Sequence, residues 1–186
     1  MASELHFDLT VYPAPVLRRR ALPVEAFDEE LQAIVAAMFE RMYASKGVGL
    51  AAPQVGLKKR ILVLNETGKP EDELVLINPT LVERSGDPTT YEEGCLSFPG
   101  IYAEVERPDA CRVKAQDVHG KEFEASYAGF QSRIIQHEYD HLGGVLLVDR
   151  MSSADKLRHR AALEDMVRDY KRAQAAKKAA SKASGK

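Results

Sequence analysis

Between residues 60 and 84 the chain carries three short apolar runs, Arg60 to Asn65 (RILVLN), Leu74 to Asn78 (LVLIN) and Thr80 to Arg84 (TLVER), separated by Gly68, Pro70 and Pro79. Runs this short and this rich in branched residues, set between turn formers, predict strands and leave no room there for a helix of ordinary length. Two alternating stretches, CRVKAQDV and KEFEASYA, flank His119-Gly120 and predict a hairpin. Helical spacing appears elsewhere. Leu31, Ile34, Val35, Met38, Phe39, Met42 and Tyr43 predict a helix over residues 28–45, with Asp28, Glu29 and Glu30 at the positive end of its dipole. Gly129 to Leu142 predicts a second, stopped by Gly143-Gly144, and Leu157, Leu163, Met166, Val167 and Tyr170 predict a third, amphipathic one docked on the body. Pro13, Pro15 and Pro23 make the segment before the first helix an extended, turning one that wraps the rest. Strands before and between helices, joined by hairpin-length connections, predict an α+β fold. Mainly antiparallel sheets are expected to pack around the second helix at the centre, with an N-terminal helix and a C-terminal amphipathic helix.

At 186 residues the chain has room for one domain with a sizeable core. We expect it over residues 1–170, followed by a basic Ala/Lys-rich tail over 171–186. The tail holds six basic residues and no acid, whereas the chain as a whole has 26 basic against 28 acidic residues, so the body is acidic. That division argues against a domain that grips DNA and assigns any nucleic-acid contact to the tail. A frayed, solubilising end is the alternative for the tail's last ten residues. No stretch approaches 18 consecutive apolar residues, and MASELHFDLT lacks the basic start and apolar run of a signal peptide, so a soluble, non-exported protein with no membrane partner is expected. Two cysteines, Cys95 and Cys111, fall far short of a disulfide framework and suit a reducing compartment.

The sharpest local signal is His137-Glu138-Tyr139-Asp140-His141 on the second predicted helix. Residues four apart on a helix are only about 40° apart around its axis, so both imidazoles reach one metal. Glu138 is turned about 100° from His137, poorly placed to ligate beside both histidines but able to touch a water on the metal. A catalytic site of this kind needs a third protein ligand and one open position. Downstream candidates are Asp149, Asp155, His159 and Glu164. Upstream, Cys95 stands between Gly94 and Pro99, and a soft thiolate with two imidazoles is a known open set, although a lone cysteine is more often a small buried hydrophobe. A closed structural site with Glu138 or Asp140 as fourth ligand is the non-enzymatic alternative, and a small zinc peptidase using His159 or Glu164 the enzymatic one.

Three separated segments, GVGLAAPQVG (47–56), EGCLS (93–97) and QHEYDHLGG (136–144), together and in this order resemble the signature motifs of peptide deformylase. The resemblance extends over most of the chain, including TVYPAPVLRRRALPV before the first helix. It implies that Cys95, His137 and His141 hold one divalent metal, with water in the fourth position. It also implies hydrolysis of the N-formyl group from the initiator formyl-methionine of nascent polypeptides, releasing formate. A bound metal lowers the pKa of water from about 15.7 to about 7. Glu138 is then the general base and later acid, while Gln54 and the Leu96 backbone N–H match the family's oxyanion donors. The resemblance favours iron(II); zinc, nickel and cobalt suit the same ligands.

By the same resemblance Val48, Phe130 and Ile134 are expected to wall a pocket for the methionine side chain, with Arg133 and Tyr102 near its rim. Gly47 and Gly49, having no side chains, would let a substrate backbone pair alongside. Lys171, Arg172, Lys177 and Lys178 of the tail are candidates for contact with ribosomal RNA. No Arg-rich transit segment precedes the first family-like stretch, so a bacterial cytoplasm is expected rather than an organelle.

Overall fold

The computed structural model describes residues 5–184, and side chains to residue 181. After a 3₁₀ turn at Pro15–Arg18, the order is α1 (Glu29–Ala44), β1 (Gly49–Ala51), a 3₁₀ turn (Ala52–Val55), β2 (Ile61–Leu64), β3 (Leu74–Gly94), β4 (Tyr102–Gln116) and β5 (Glu122–Ala128). Then come α2 (Gly129–Leu142), α3 (Leu147–Arg150), α4 (Ser153–Arg158) and α5 (Arg160–Ser184). The strands form one five-stranded antiparallel sheet in chain order, so helices are mixed with antiparallel strands as expected, although in a single sheet.

The unbroken apolar run at β2 follows from what covers it. Alternate strand residues face opposite ways. Ile61 and Val63 join a cluster with Ile34, Met38 and Met42 of α1, while Leu62 and Leu64 join one with Ile134, Ile135 and Leu142 of α2. Helices therefore cover both faces here, and both phases of the strand must be apolar. The Asp28 side chain caps α1 by accepting from the Leu31 N–H at 3.0 Å. The segment before α1 does wrap the body: Thr10 N–H donates to the Gln54 carbonyl, Tyr12 N–H to Ser97, and Ala21 N–H to Leu142.

Two expectations change. The runs at 74–78 and 80–84 are not separate strands but the start of one, whose pairing with β4 shifts register between Ile77 and Thr80. Asn78 adopts a φ of 51° there, and its side chain holds the bend by accepting from Val24 N–H (2.8 Å) and donating to the Val24 carbonyl (2.9 Å) and to Gln116 (2.8 Å). Pro79 thus sits in an irregularity, where a missing N–H costs little, and bends the strand without ending it. The third predicted helix is two. Ser152 caps α4 through the Asp155 N–H, the chain breaks at His159, and Leu157 is 72% exposed instead of docked. α5 then continues helical through the predicted tail to Ser184; Gly185 and Lys186 lie outside the described residues.

Candidate active site

The site forms where the β3–β4 connection meets α2. Cys95 follows directly on β3, in a turn closed by the Phe98 N–H donating to the Cys95 carbonyl at 2.8 Å. Four residues apart on α2, His137 and His141 present their rings with centroids 5.2 Å from each other. Cys95 Sγ is 3.3 Å from His141 Nε2, and one donor atom from each of Cys95, His137 and His141 lies within 4.8 Å of the others. Bond lengths of about 2.3 Å to sulfur and about 2.05 Å to nitrogen put tetrahedral donors about 3.6 Å apart, so the three span the right distance for one divalent ion. No other such trio of metal-ligating side chains converges among the described residues.

The downstream candidates have other partners. Asp149 pairs with Arg18, Asp155 with Arg158 and the Ser152 hydroxyl, and Glu164 with Arg160, while His159 Nε2 donates to the Tyr102 carbonyl at 2.7 Å. Asp140 receives Arg107 at 2.9 Å and Arg150 at 2.6 Å, which leaves it no role as a closing ligand.

The two histidines stand in opposite environments. His137 Nδ1 donates to Glu93 at 2.9 Å; burial opposes charge on the ring, but Cys95 and Glu93 outweigh it and hold the imidazole well above its ordinary pKa. His141 is pushed well below the ordinary value by burial and by the charges of His137 and Arg107, and its buried Nδ1 has no hydrogen-bond partner. Burial alone would raise the Glu93 carboxyl, yet His137 and Arg107 bring it down to about 2. Arg107 donates to both Glu93 oxygens at 2.7 and 3.0 Å, and through Nη1 to Asp140. A carboxylate on the far nitrogen of a ligating imidazole fixes its tautomer and orientation.

Glu138 reaches the cavity from the same helix. A side chain at Gly49 would come within 2.7 Å of its Oε1 and 2.6 Å of Ile134, so glycine there lets β1 and α2 close together around the carboxylate. Burial pushes the Glu138 carboxyl up to about 7 against the pull of His137 and Arg107, and its buried Oε2 has no partner. Gln54 is oriented by the Ala51 N–H, which donates to Oε1 at 2.8 Å; the amide nitrogen is thereby aimed at Cys95 Sγ (3.5 Å) and Ser97 Oγ (3.4 Å). The cavity, about 620 Å³, is bordered by Gly47, Val48, Leu96 and Phe130 as well as by these groups.

Comparison with known proteins matches residues 7–157 to the family described as Polypeptide deformylase. The chain belongs to this family. It is 44% identical over 166 residues to a peptide deformylase of Thermotoga maritima, covering 89% of this chain and 99% of that one. Against an Arabidopsis thaliana relative named peptide deformylase 1B, chloroplastic/mitochondrial, identity is 43% over 175 residues, and the chain spans 91% of itself but 64% of that relative. Among solved structures, a Plasmodium falciparum peptide deformylase superposes with a TM-score of 0.86 at 46% identity, covering 88% of this chain and 97% of that one.

In this deformylase-family chain the remaining predicted residues divide. Val48 (38% exposed) and Phe130 (41%) stand at the cavity mouth, and Ile134 is buried beneath. Tyr102 is exposed, with its ring across Gly94. Arg133 borders the cavity while largely buried: it donates to Glu93 (2.8 Å), the Val105 carbonyl (3.0 Å) and Thr89, and holds its guanidinium 5.6 Å from the Tyr91 ring centroid. Sequence reasoning gave no role to Glu93 and Arg107, and considered Asp140 only as a closing ligand. A signal was available for one of them: Ala103, Val105 and Arg107 share the inward phase of β4, and a charge in an apolar phase must have a partner.

Proposed function

We propose that this chain hydrolyses the N-formyl group of the formyl-methionine that begins nascent polypeptides, releasing formate. The observation that carries the reading is a thiol and two imidazoles converging beside a buried carboxyl with an unpartnered oxygen, with Cys95, His137 and Glu138 lining one apolar-walled cavity. Cys95, His137 and His141 would hold a divalent cation, which would supply a Lewis acid able to lower the pKa of water toward neutrality. Glu138, with a carboxyl near neutrality, takes the water's proton and returns it to the leaving nitrogen. The Gln54 amide nitrogen and the Leu96 backbone N–H donate to the former carbonyl oxygen as negative charge grows on it. Val48, Phe130 and Ile134 receive the methionine side chain, Tyr102 borders the mouth, Arg133 acts by bracing Tyr91, and Gly47 and Gly49 keep the approach open to a peptide backbone.

We assign iron(II) as the working metal by family resemblance, and expect oxygen sensitivity from a thiolate beside iron. The HExxH helix is read as the centre of the fold, since it packs on β1, β2, β4 and β5. Residues 1–170 are the catalytic domain and 171–186 a basic segment that meets ribosomal RNA. A bacterial cytoplasm is the proposed location, with no membrane or DNA partner; no described helix is long and apolar enough to cross a membrane.

The test is anaerobic purification with metal analysis and formate release from a formyl-methionyl tripeptide. Glu138→Ala should keep its metal and lose about 10²- to 10⁴-fold in turnover. Gln54→Ala should lose about 10²- to 10³-fold. A Cys95→Ser variant that kept both metal and turnover would remove the assignment.

A further inference from the structure

The catalytic cavity does not end at its mouth. Leu9 and Pro99 border it and also border a second cavity of about 520 Å³. This second space is a wedge, with Leu9, Val11 and Tyr12 on one side and Met166, Tyr170 and Lys177 of α5 on the other. It arises because α5 leaves the body here. Leu163 and Met166 still pack against the cluster around Phe98 and Leu146, Tyr170 is half-buried, and from Lys171 every described side chain is exposed.

Two features suit the wedge to a polypeptide. The Thr10 and Tyr12 N–H groups donate inward, to Gln54 at 2.7 Å and Ser97 at 3.0 Å. Between them the Val11 N–H has no main-chain acceptor among the described residues, so it is the group with which an added strand would pair. Main-chain pairing of that kind accepts any sequence. Opposite this edge, Met166 and Tyr170 offer a soft thioether and a ring, surfaces that adapt to varied side chains. A polymeric substrate must also leave the catalytic cavity somewhere, and the border at Leu9 and Pro99 leads directly into the wedge.

We propose that the wedge between residues 9–14 and α5 holds the stretch of substrate polypeptide that follows the residues seated in the catalytic cavity. This rests on the deformylase reading of that cavity and adds a second binding region to it. The region binds away from the reacting bond, so it acts on KM and leaves kcat alone.

The experiment compares a formyl-methionyl tripeptide with a formyl-methionyl decapeptide whose second half is apolar. The decapeptide should show a KM lower on the order of tenfold at equal kcat, from one or two newly buried side chains. Tyr170→Ser should bring the decapeptide KM up to the tripeptide value, and Tyr170→Phe should preserve the difference. Equal KM values in the unaltered protein would overturn the proposal, as would a low decapeptide KM that survives Tyr170→Ser. A concentration-dependent dimer abolished by Tyr170→Ser would assign the wedge to a second copy of the chain and overturn it too. Formate from neither peptide would instead sink the reading of the catalytic cavity, and the wedge as its continuation with it.

Discussion

The two long helices after the sheet, α2 and α5, both carry charges in pairs, and the pairs do opposite things. Around α2 the Arg107–Glu93 pair is 6% exposed on each side, and Asp140 of the helix is buried with it. Along α5 the Arg160–Glu164 pair is 72% and 62% exposed. Desolvated charges cost free energy unless every partner is in place, so the network at α2 holds one arrangement and penalises the rest. Solvated pairs on a helix face are screened and add little. One helix uses charge to hold a constellation of side chains in position; the other uses it to stay in water.

Removing one partner should break this contrast most strongly. Arg107→Leu leaves Glu93 and Asp140 buried without their shared cation, and should cost about 3 to 5 kcal/mol. In a chain of this size that is a fall in Tm of roughly 6 to 20 °C, and metal retention measured by dialysis should drop, by up to about 10- to 100-fold, as Glu93, the brace of His137, loses its own anchor.

An intermediate case is Asp149, which is partly exposed beside Arg18. Burial raises its carboxyl, but the Arg18 guanidinium and the Leu146 N–H outweigh that and hold it below the ordinary carboxylate value. A depressed folded pKa adds stability above the ordinary range that drains away as pH falls through the folded value. Arg18→Ala should therefore flatten the acid limb of a plot of unfolding midpoint against pH, with the variants converging at the lowest pH. An unchanged limb would show the pair to be inert.

The smallest effect is expected on α5. Arg160→Ala should leave the urea unfolding midpoint almost unchanged, and added salt should erase any small difference. A larger loss would show that α5 is braced by its charges after all.

Sequence reasoning reached whatever local pattern decides. The acidic start at Asp28 to Glu30, the helical spacing before Gly47 and the Gly143-Gly144 stop placed α1 and α2 to within a residue. It lost β3 because Pro79 reads locally as a break, whereas the tie from Asn78 to Val24 and Gln116 comes from residues 54 and 38 positions away. The histidine pair was legible from helix geometry alone, while Cys95 needed the resemblance, since nothing local separates a ligand from a buried thiol. Arg133 was set beside the pocket by resemblance alone, and nothing local in the sequence announces its tie to Glu93, 40 positions away.

The donor set spans 46 positions between Cys95 and His141. Both ends must be present and folded together before either can grip an ion, because closing so large a loop comes before any contact can reward it. On the proposed assignment, a chain still being synthesised should stay inert until α2 has emerged. On the proposed ligand set, a fragment ended upstream of His141 lacks one of the three donors and should hold a divalent ion far more weakly.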